Sequence, residues 1–320
     1  MTNLQLSIQT RRNRQYPVLA EEILLERRRA GAPAKLEFTV INDSILSFHE
    51  GDHVLLQQGE ETLFSGFVFS KHRNYGKKIK VMAYDQMRYL KNKDTYSYED
   101  ITASQLIGRI GADWGFALGE IDDSLYPLPA TIAEGRSLMD IIQTALDQTA
   151  KETGELFTLY DKGGKLCLSH VKDLARDTLI STQNIKDFDY TSSIDRDAYS
   201  AVRLYRLGAG PGQRIYYDAE NGELLDRWGR LRYHARAKEE VDGIQSVQKT
   251  LEMKARKTRI LRIQEAMGDT GVQGGSLLPV ELNLGDLILN QFLMVEQVRH
   301  RFTQGGHTMD LSLVGGDFVA

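Results

Sequence analysis

The sequence predicts an α+β, mainly β protein. It is read as two duplicated small antiparallel β-barrels, an α+β insert domain between them, and a long helix before the second barrel's last strands. Three observations carry that prediction. The first is one pattern written twice. Gly51-Asp52 opens the apolar run His53-Val54-Leu55-Leu56, and Gly59-Glu60 breaks it. A second run ends in Lys71-His72-Arg73, and after Gly76 a third, Ile79-Lys80-Val81-Met82-Ala83-Tyr84, stops at Asp85. Near the other end, Gly275-Ser276 opens Leu277-Leu278-Pro279-Val280-Glu281-Leu282, and Gly285-Asp286 breaks it. The next run ends in Arg299-His300-Arg301, and after Gly305-Gly306 comes Met309-Asp310-Leu311-Ser312-Leu313-Val314 ahead of Asp317. Glycine-polar turns between alternating runs are the signature of a β-meander. The second observation is that helical patterning falls in the middle of the chain and in one late stretch. The third is that no catalytic motif runs across these elements.

Taken in order, residues 1–90 read as the first barrel. Leu4-Gln5-Leu6-Ser7-Ile8, the run Ile23-Leu24-Leu25 and Leu36-Glu37-Phe38-Thr39-Val40 add three strands to the three of the repeat. Residues 91–183 read as an α+β middle domain. Thr102 with Gln105 forms a capping box ahead of Leu106, Ile107 and Ile110, and Gly115 closes that helix. Ser137 with Asp140 repeats the device before the stripe Leu138, Ile141, Ile142, Ala145, Leu146, and Gly154 ends it. Leu156-Phe157-Thr158-Leu159-Tyr160 and Lys165-Leu166-Cys167-Leu168-Ser169 flank Asp161-Lys162-Gly163-Gly164 as a hairpin. Residues 184–320 read as the second barrel. They include a hairpin around Gly208-Ala209-Gly210-Pro211-Gly212 and a helix over 244–267, with Asp242 as N-cap and Gly268 after its end.

A chain of 320 residues is long enough for two or three domains with sizeable cores. Its net charge of −4 gives no global attraction to nucleic acid or anionic membrane. The lone Cys167 excludes a disulfide framework and a cysteine-based zinc site, and its apolar strand suits a buried thiol. The N-terminus lacks the pattern of a signal peptide, and no run reaches the ~18 apolar residues of a membrane span. Synthesis in a bacterial cytoplasm is expected.

Little chemistry is offered. The glycines at 208–212 are followed by a strand, whereas a phosphate loop needs a helix N-terminus there. His72 and His300 sit between permanent cations, which disfavour a protonated imidazole or a bound metal, so both are expected to face solvent or a partner. The acids Glu99, Asp100, Asp113, Glu120, Asp122 and Asp123 read as a solvated face. A convergent carboxylate pair, as in a wall hydrolase, stays an alternative. The basic stretch 249–262 includes Arg256, Arg259 and Arg262. It could face a polyanion or form a solvated helix edge, and it carries no interleaved aromatics for base stacking. No cofactor or metal is expected.

Certain segments resemble a known family. Gly268-Asp269-Thr270-Gly271-Val272-Gln273-Gly274-Gly275-Ser276, Leu284-Gly285-Asp286, Val298-Arg299-His300-Arg301-Phe302 and His307-Thr308-Met309-Asp310-Leu311 are similar to the C-terminal signature of tail baseplate hub proteins. These belong to contractile phages, defective prophages and related bacteriocins. Tyr84-Asp85-Gln86-Met87-Arg88-Tyr89-Leu90-Lys91-Asn92 and Phe188-Asp189-Tyr190-Thr191-Ser192-Ser193-Ile194-Asp195 resemble the same family where the first barrel ends and the second resumes. The resemblance implies a non-enzymatic structural hub, a homotrimer whose six barrels make a pseudo-sixfold ring between tail tube and central spike. Implied partners are the spike, tube or tube-initiator proteins, baseplate wedge proteins, and transiently DNA or a tape measure in the channel. Alternatives are a tail-tip peptidoglycan hydrolase, or a barrel module binding nucleic acid or sugar. Under the hub reading, Lys71, His72, Arg73, Arg299, His300 and Arg301 are interface candidates on matching strands. Arg256, Arg259 and Arg262 would lie on a helix near the trimer core, and arms such as 57–64 can pair with neighbouring chains.

Overall fold

The computed structural model describes residues 4–43, 46–208, 210, 212–237, 242–285 and 287–315. Ala209, Pro211, Asp286 and Asp317, named in the turn patterns above, lie outside these residues. The chain divides into two compact units. One holds the residues up to Asp189 and from Arg262 on, and the other is Tyr190–Leu261.

Period-two alternation builds the first part of the larger unit. Its strands are β1 (Leu4–Gln9), β2 (Arg14–Gln15), β3 (Ile23–Arg28), β4 (Lys35–Ile41), β5 (His53–Gln58), β6 (Glu61–Arg73) and β7 (Lys78–Tyr84). Leu6, Ile8, Ile23, Leu25, Leu36, Phe38, Val40, Val54, Leu56, Ile79 and Val81 point into one core. They alternate with less buried neighbours, polar in β4 (Glu37, Thr39) and apolar in β3 (Leu24) and β5 (Leu55).

The middle module follows. Asp85 caps a short 3-10 turn, Gln86–Lys91, by accepting from the Met87 amide. Next come β8 (Lys93–Tyr98), α1 (Ala103–Trp114), β9 (Leu118–Ile121), β10 (Thr131–Ser137), α2 (Leu138–Thr153), β11 (Phe157–Lys162) and β12 (Lys165–His170). Thr102 and Gln105 form the complete capping box, and Gly115 ends α1 in the left-handed region. Ser137 caps α2, and Gly154 ends it the same way. Leu106, Ile107, Ile110, Leu138, Ile141, Ile142 and Leu168 fill a separate core. Cys167 is buried in β12.

The chain then gives β13 (Ile180–Ser181) and β14 (Asp187–Ser193) before entering the smaller unit. There β15 (Ala201–Leu207), β16 (Arg214–Glu220), α3 (Gly222–Trp228) and β17 (Arg232–Arg236) precede α4 (Gly243–Lys254). Strand β15 pairs antiparallel with β16 and parallel with β17. Val202, Leu204, Ala219, Val247 and Leu251 form this unit's core.

The expected helix over 244–267 is corrected. Asp242 does cap α4, through the Ile244 amide, but the helix closes at Lys254. Thr258–Met267 is strand β18. Thr258, Ile260 and Ile263 are β-branched, and Leu261 and Ile263 are buried around an exposed Arg262. That is a two-residue period, which a strand satisfies and a helix does not.

Strands β19 (Leu277–Asn283), β20 (Ile288–Thr303) and β21 (Gly306–Val314) complete the larger unit. Its main sheet has 13 strands in the path β14-β18-β21-β20-β3-β4-β7-β6-β5-β1-β2, with β13 and β19 branching from β20. Two arms of six strands can be read from it. One is β3-β4-β7-β6-β5-β1, and the other is β14-β18-β21-β20-β19-β13. The last member differs, since β1 runs antiparallel to β5 whereas β13 runs parallel to β19.

Candidate functional site

The two arms match at the level of single hydrogen bonds. Gly51 and Gly275 both sit at φ +91°, a region that glycine enters without strain. The Gly51 amide donates to the Val68 carbonyl, and the Gly275 amide donates to the Val295 carbonyl, both at 2.8 Å. Val68 donates back to Asp52, and Val295 back to Ser276. The Asp52 carboxylate accepts from the His49 amide at 2.8 Å, and the Ser276 hydroxyl from the Gln273 amide at 3.0 Å. One residue later each long strand bulges, between Val68 and Ser70 in β6 and between Val295 and Gln297 in β20.

This alignment fixes where the basic triplets stand. Both lie on the long central strand of a meander, paired to β7 and β21 respectively. Counting from the shared bulge, however, Lys71 corresponds to Val298, His72 to Arg299 and Arg73 to His300. The triplets are therefore one residue out of phase, and in a strand one residue reverses the face. His72 and Arg73 are exposed. Lys71 turns inward, donating to the Phe48 carbonyl at 2.7 Å with Glu50 at 3.4 Å.

His300 corrects the expectation of a solvent- or partner-facing ring, because it is 1% exposed. Its Nε2 lies 2.9 Å from the Val272 carbonyl, which can only accept, so Nε2 carries the proton. Its Nδ1 then accepts from His307 Nε2 at 3.0 Å. Burial first, then the nearby Arg27 charge and His307, hold the His300 pKa well below the ordinary imidazole value. Burial lowers His307 as well.

The flanking arginines are engaged along a seam between the arms. Strand β20 pairs antiparallel with β3, setting Arg299 opposite Glu26 and Arg301 opposite Leu24. Arg299 donates to Glu26 at 2.9 Å, Arg301 grips Glu22 at 2.8 and 2.7 Å, and Arg29 meets Glu296 at 2.7 Å. Glu26 is nearly buried, and burial alone would raise its pKa; Arg299, Lys35 and Arg28 outweigh that and lower it. Of the remaining candidates, Arg256 is exposed in the turn after α4, and Arg259 and Arg262 lie on opposite faces of β18. The even three-residue spacing that would align them on a helix does not align them on a strand. Arg262 reaches Asp189 at 3.4 Å. Residues 57–64 form the tip of the β5–β6 hairpin.

A buried charge cluster was not anticipated. Arg27 on β3 has its guanidinium enclosed by protein and donates to the Leu63 carbonyl. Asp85 accepts from the Ala34 and Met87 amides, each at 3.0 Å. Asp161 accepts from Gln86 Nε2 and the Gly164 amide, each at 2.9 Å. Burial, and then the Asp161 charge, push Asp85 well above the carboxylate range; burial also raises Asp161. The signal in the sequence was slight: Asp85 closes a strand and Asp161 opens a turn. Of the acids read as a solvated face, Glu99, Asp100, Asp113, Glu120 and Asp123 are exposed and Asp122 is partly buried; three of them also accept hydrogen bonds. Asp113 accepts from Tyr96, Asp122 from the His170 amide, and Asp123 from Ser104 and the Leu125 amide. A cleft of about 1030 Å³ is lined by Arg176, Thr178, Asp269, Phe302 and His307. Two carboxylates line it, Asp177 and Asp269, and Asp269 is bonded to Thr178 and the Gly271 amide. Among the described residues no group of three or more His, Cys, Asp or Glu is placed to hold a metal ion. No helix there is long and apolar enough to cross a membrane.

What the fold defines is a duplicated β arm with paired, charge-zipped strands. The chain belongs to the YQBQ-like family, which it matches over residues 23–314. It is 29% identical over 308 residues to the phage-like element PBSX protein XkdQ of Bacillus subtilis, covering 93% of each chain. Its fold is similar to that of the prophage MuSo2 43 kDa tail protein from Shewanella oneidensis. The TM-score there is 0.70, at 13% identity and 98% coverage of both chains. It is also similar to an E. coli type VI secretion component described as resembling bacteriophage T4 tail proteins. That match has a TM-score of 0.60 at 11% identity, covering 98% of this chain and 77% of the other.

Proposed function

We propose that this chain is a non-enzymatic tail component, the structural hub of a contractile tail baseplate. In this reading three copies form a pseudo-sixfold ring that joins the tail tube to the central spike. The observation that carries it is the duplicated six-strand arm. Three copies of a chain with two near-equivalent arms present six near-equivalent faces, which lets a threefold spike meet a sixfold tube. Support comes from the B. subtilis relative, a phage-like element protein, and from the fold shared with prophage and type VI proteins. Its partners would be the spike, the tube or its initiator, and wedge proteins. It would be made in a bacterial cytoplasm and then sit in the baseplate of a phage, prophage or bacteriocin particle.

The test is to purify the tail particle that contains the chain and measure its copy number and neighbours by cross-linking mass spectrometry. Three copies next to tube and spike proteins are expected. Six copies, or a position remote from both, would overturn the reading.

A further inference from the structure

We propose that the bare face of the three-stranded sheet β16-β15-β17 in the smaller unit binds single-stranded nucleic acid. The inference goes beyond the hub reading and does not depend on it.

The face is written into the sequence with a period of two. Arg203 and Tyr205 on β15, Arg214 and Tyr216 on β16, and Arg232 and His234 on β17 each set a guanidinium two residues before a ring. Alternate residues of a strand share one face. The register brings the three rows together. Arg203 stands between Asp218 and His234, Tyr205 between Tyr216 and Arg236, and Leu207 opposite Arg214. The other face carries Val202, Leu204 and Ala219, which α4 covers with Val247 and Leu251. On the first face Arg214, Tyr216, Arg232 and His234 are exposed, and Arg203 and Tyr205 are half-buried.

The rings are ordered into a column. His234 lies nearly parallel to the Tyr205 ring, with centroids 5.3 Å apart and planes at 21°. The Arg214 guanidinium lies over the same ring at 5.0 Å. Strands β16 and β17 flank β15, so Arg214 and His234 reach Tyr205 from opposite sides and the column crosses all three strands. Beside it, Arg203 lies over Tyr216 at 5.4 Å. Such a column can be extended at its ends, because a base stacks on an imidazole or a guanidinium plane as well as on another base.

Charge decides between occupants. The acids of this face are already matched: Asp218 accepts from Arg203 at 2.7 and 3.1 Å, and Glu220 from Arg230 at 3.3 Å. Arg214 has only the Tyr205 ring, and Arg232 only the Asp218 that Arg203 already grips. The face therefore carries surplus positive charge on a chain whose net charge is −4. An acidic peptide would use the arginines and leave the rings idle. A neutral glycan would use the rings and leave the arginines unmatched. A single strand uses both, with phosphates on Arg214 and Arg232 and bases on the ends of the column. A duplex keeps its bases inside and offers phosphate alone.

The test is fluorescence anisotropy of a labelled oligodeoxythymidine of about 20 nucleotides, longer than the site of one small module, titrated with the full chain. Binding is expected at about 50 mM salt and should weaken as salt rises. Arg214→Glu and Arg232→Glu should each weaken it about tenfold or more. Arg214→Lys keeps the charge and loses the stacking plane, so it should cost about threefold and leave the salt dependence unchanged. His234→Ala, at the end of the column, should cost about fivefold. Lys77→Glu removes an exposed cation of the larger unit and should change nothing. Circular dichroism checks that each variant is folded. Ultraviolet cross-linking should join the oligonucleotide to peptides that hold Tyr205, Tyr216 or His234. No binding at low salt, binding that survives both charge reversals, or equal affinity for a duplex of the same length overturns the proposal. Displacement of the strand by polyglutamate of equal charge also overturns it, and marks the face as a site for acidic protein. The hub reading stands in every case, since it rests on the two arms and not on this sheet.

Discussion

At His300 the neighbours fix the protonation state, and the state fixes a pH dependence. The ring is buried neutral, with its one proton on Nε2 toward Val272. In the unfolded chain a histidine titrates near pH 6.5, whereas in the folded chain it holds its proton far less tightly. As pH falls through about 6.5 the unfolded state gains a proton that the native state refuses, so stability drops with falling pH. His300→Phe keeps an aromatic ring beside Phe302 but leaves the Val272 carbonyl unpaired, a loss of roughly 1–3 kcal/mol. Urea unfolding between pH 7.5 and 5.5 should show the native chain losing more stability across that range than the variant. An identical slope would refute the neutral buried assignment. Asp161 has the opposite sign. Its proton affinity is raised on folding, so its charge destabilises the native state above the ordinary carboxylate range, and the effect vanishes in acid. Asp161→Asn should be more stable than the native chain by on the order of 1 kcal/mol at pH 7, with the gap closing below pH 4. Parallel thermal melts at the two pH values measure it.

The equivalence of the two meanders rests on the Gly51 and Gly275 turns, and alanine scanning separates backbone from packing there. At Gly51 a Cβ would meet nothing within 4 Å, so Gly51→Ala should cost only the strain of a positive φ, about 1–3 kcal/mol. At Gly275 the same atom would lie 2.4 Å from Thr158 Oγ1, so Gly275→Ala should lower the denaturation midpoint further than Gly51→Ala does. The reverse order would mean that the two turns are not equivalent. These elements were legible in the sequence because turns and caps are local. The glycine turns, the Thr102–Gln105 box and the Ser137 cap each announce themselves within four residues. Segment 258–267 was not, because Lys254, Arg256 and Lys257 continue the polar rhythm of α4 and mask the switch to a two-residue period. The register of the basic triplets was not legible either. A bulge leaves no mark in composition, so matching Lys71-His72-Arg73 to Arg299-His300-Arg301 by residue type gave an answer one residue out. The β3–β20 seam joins residues about as far apart as the chain allows, and only the fold brings Glu26 to Arg299.

On the scale of the whole molecule, the sheet path explains the order in which the chain is written. The two arms share one strand plan, and the segments that interrupt the plan are insertions. The middle module sits between the arms. The smaller unit, Tyr190–Leu261, occupies the place in the second arm where the first has only the short link between β3 and β4. An insertion in a hairpin connection is tolerated because the loop's ends are already held close by the strands they leave. The smaller unit also has its own core, Val202, Leu204, Ala219, Val247 and Leu251. We propose, on that basis, that replacing residues 194–257 with a short glycine-containing turn leaves the larger unit folded. Its unfolding should stay cooperative, and the His300-dependent pH slope should be retained, since that histidine and its partners Val272 and His307 all belong to the larger unit. Unfolding followed by circular dichroism at two pH values reads both properties from one sample. Loss of cooperativity, or an exposed His300 that titrates near pH 6.5, would show that the inserted unit is required for the arm that carries it.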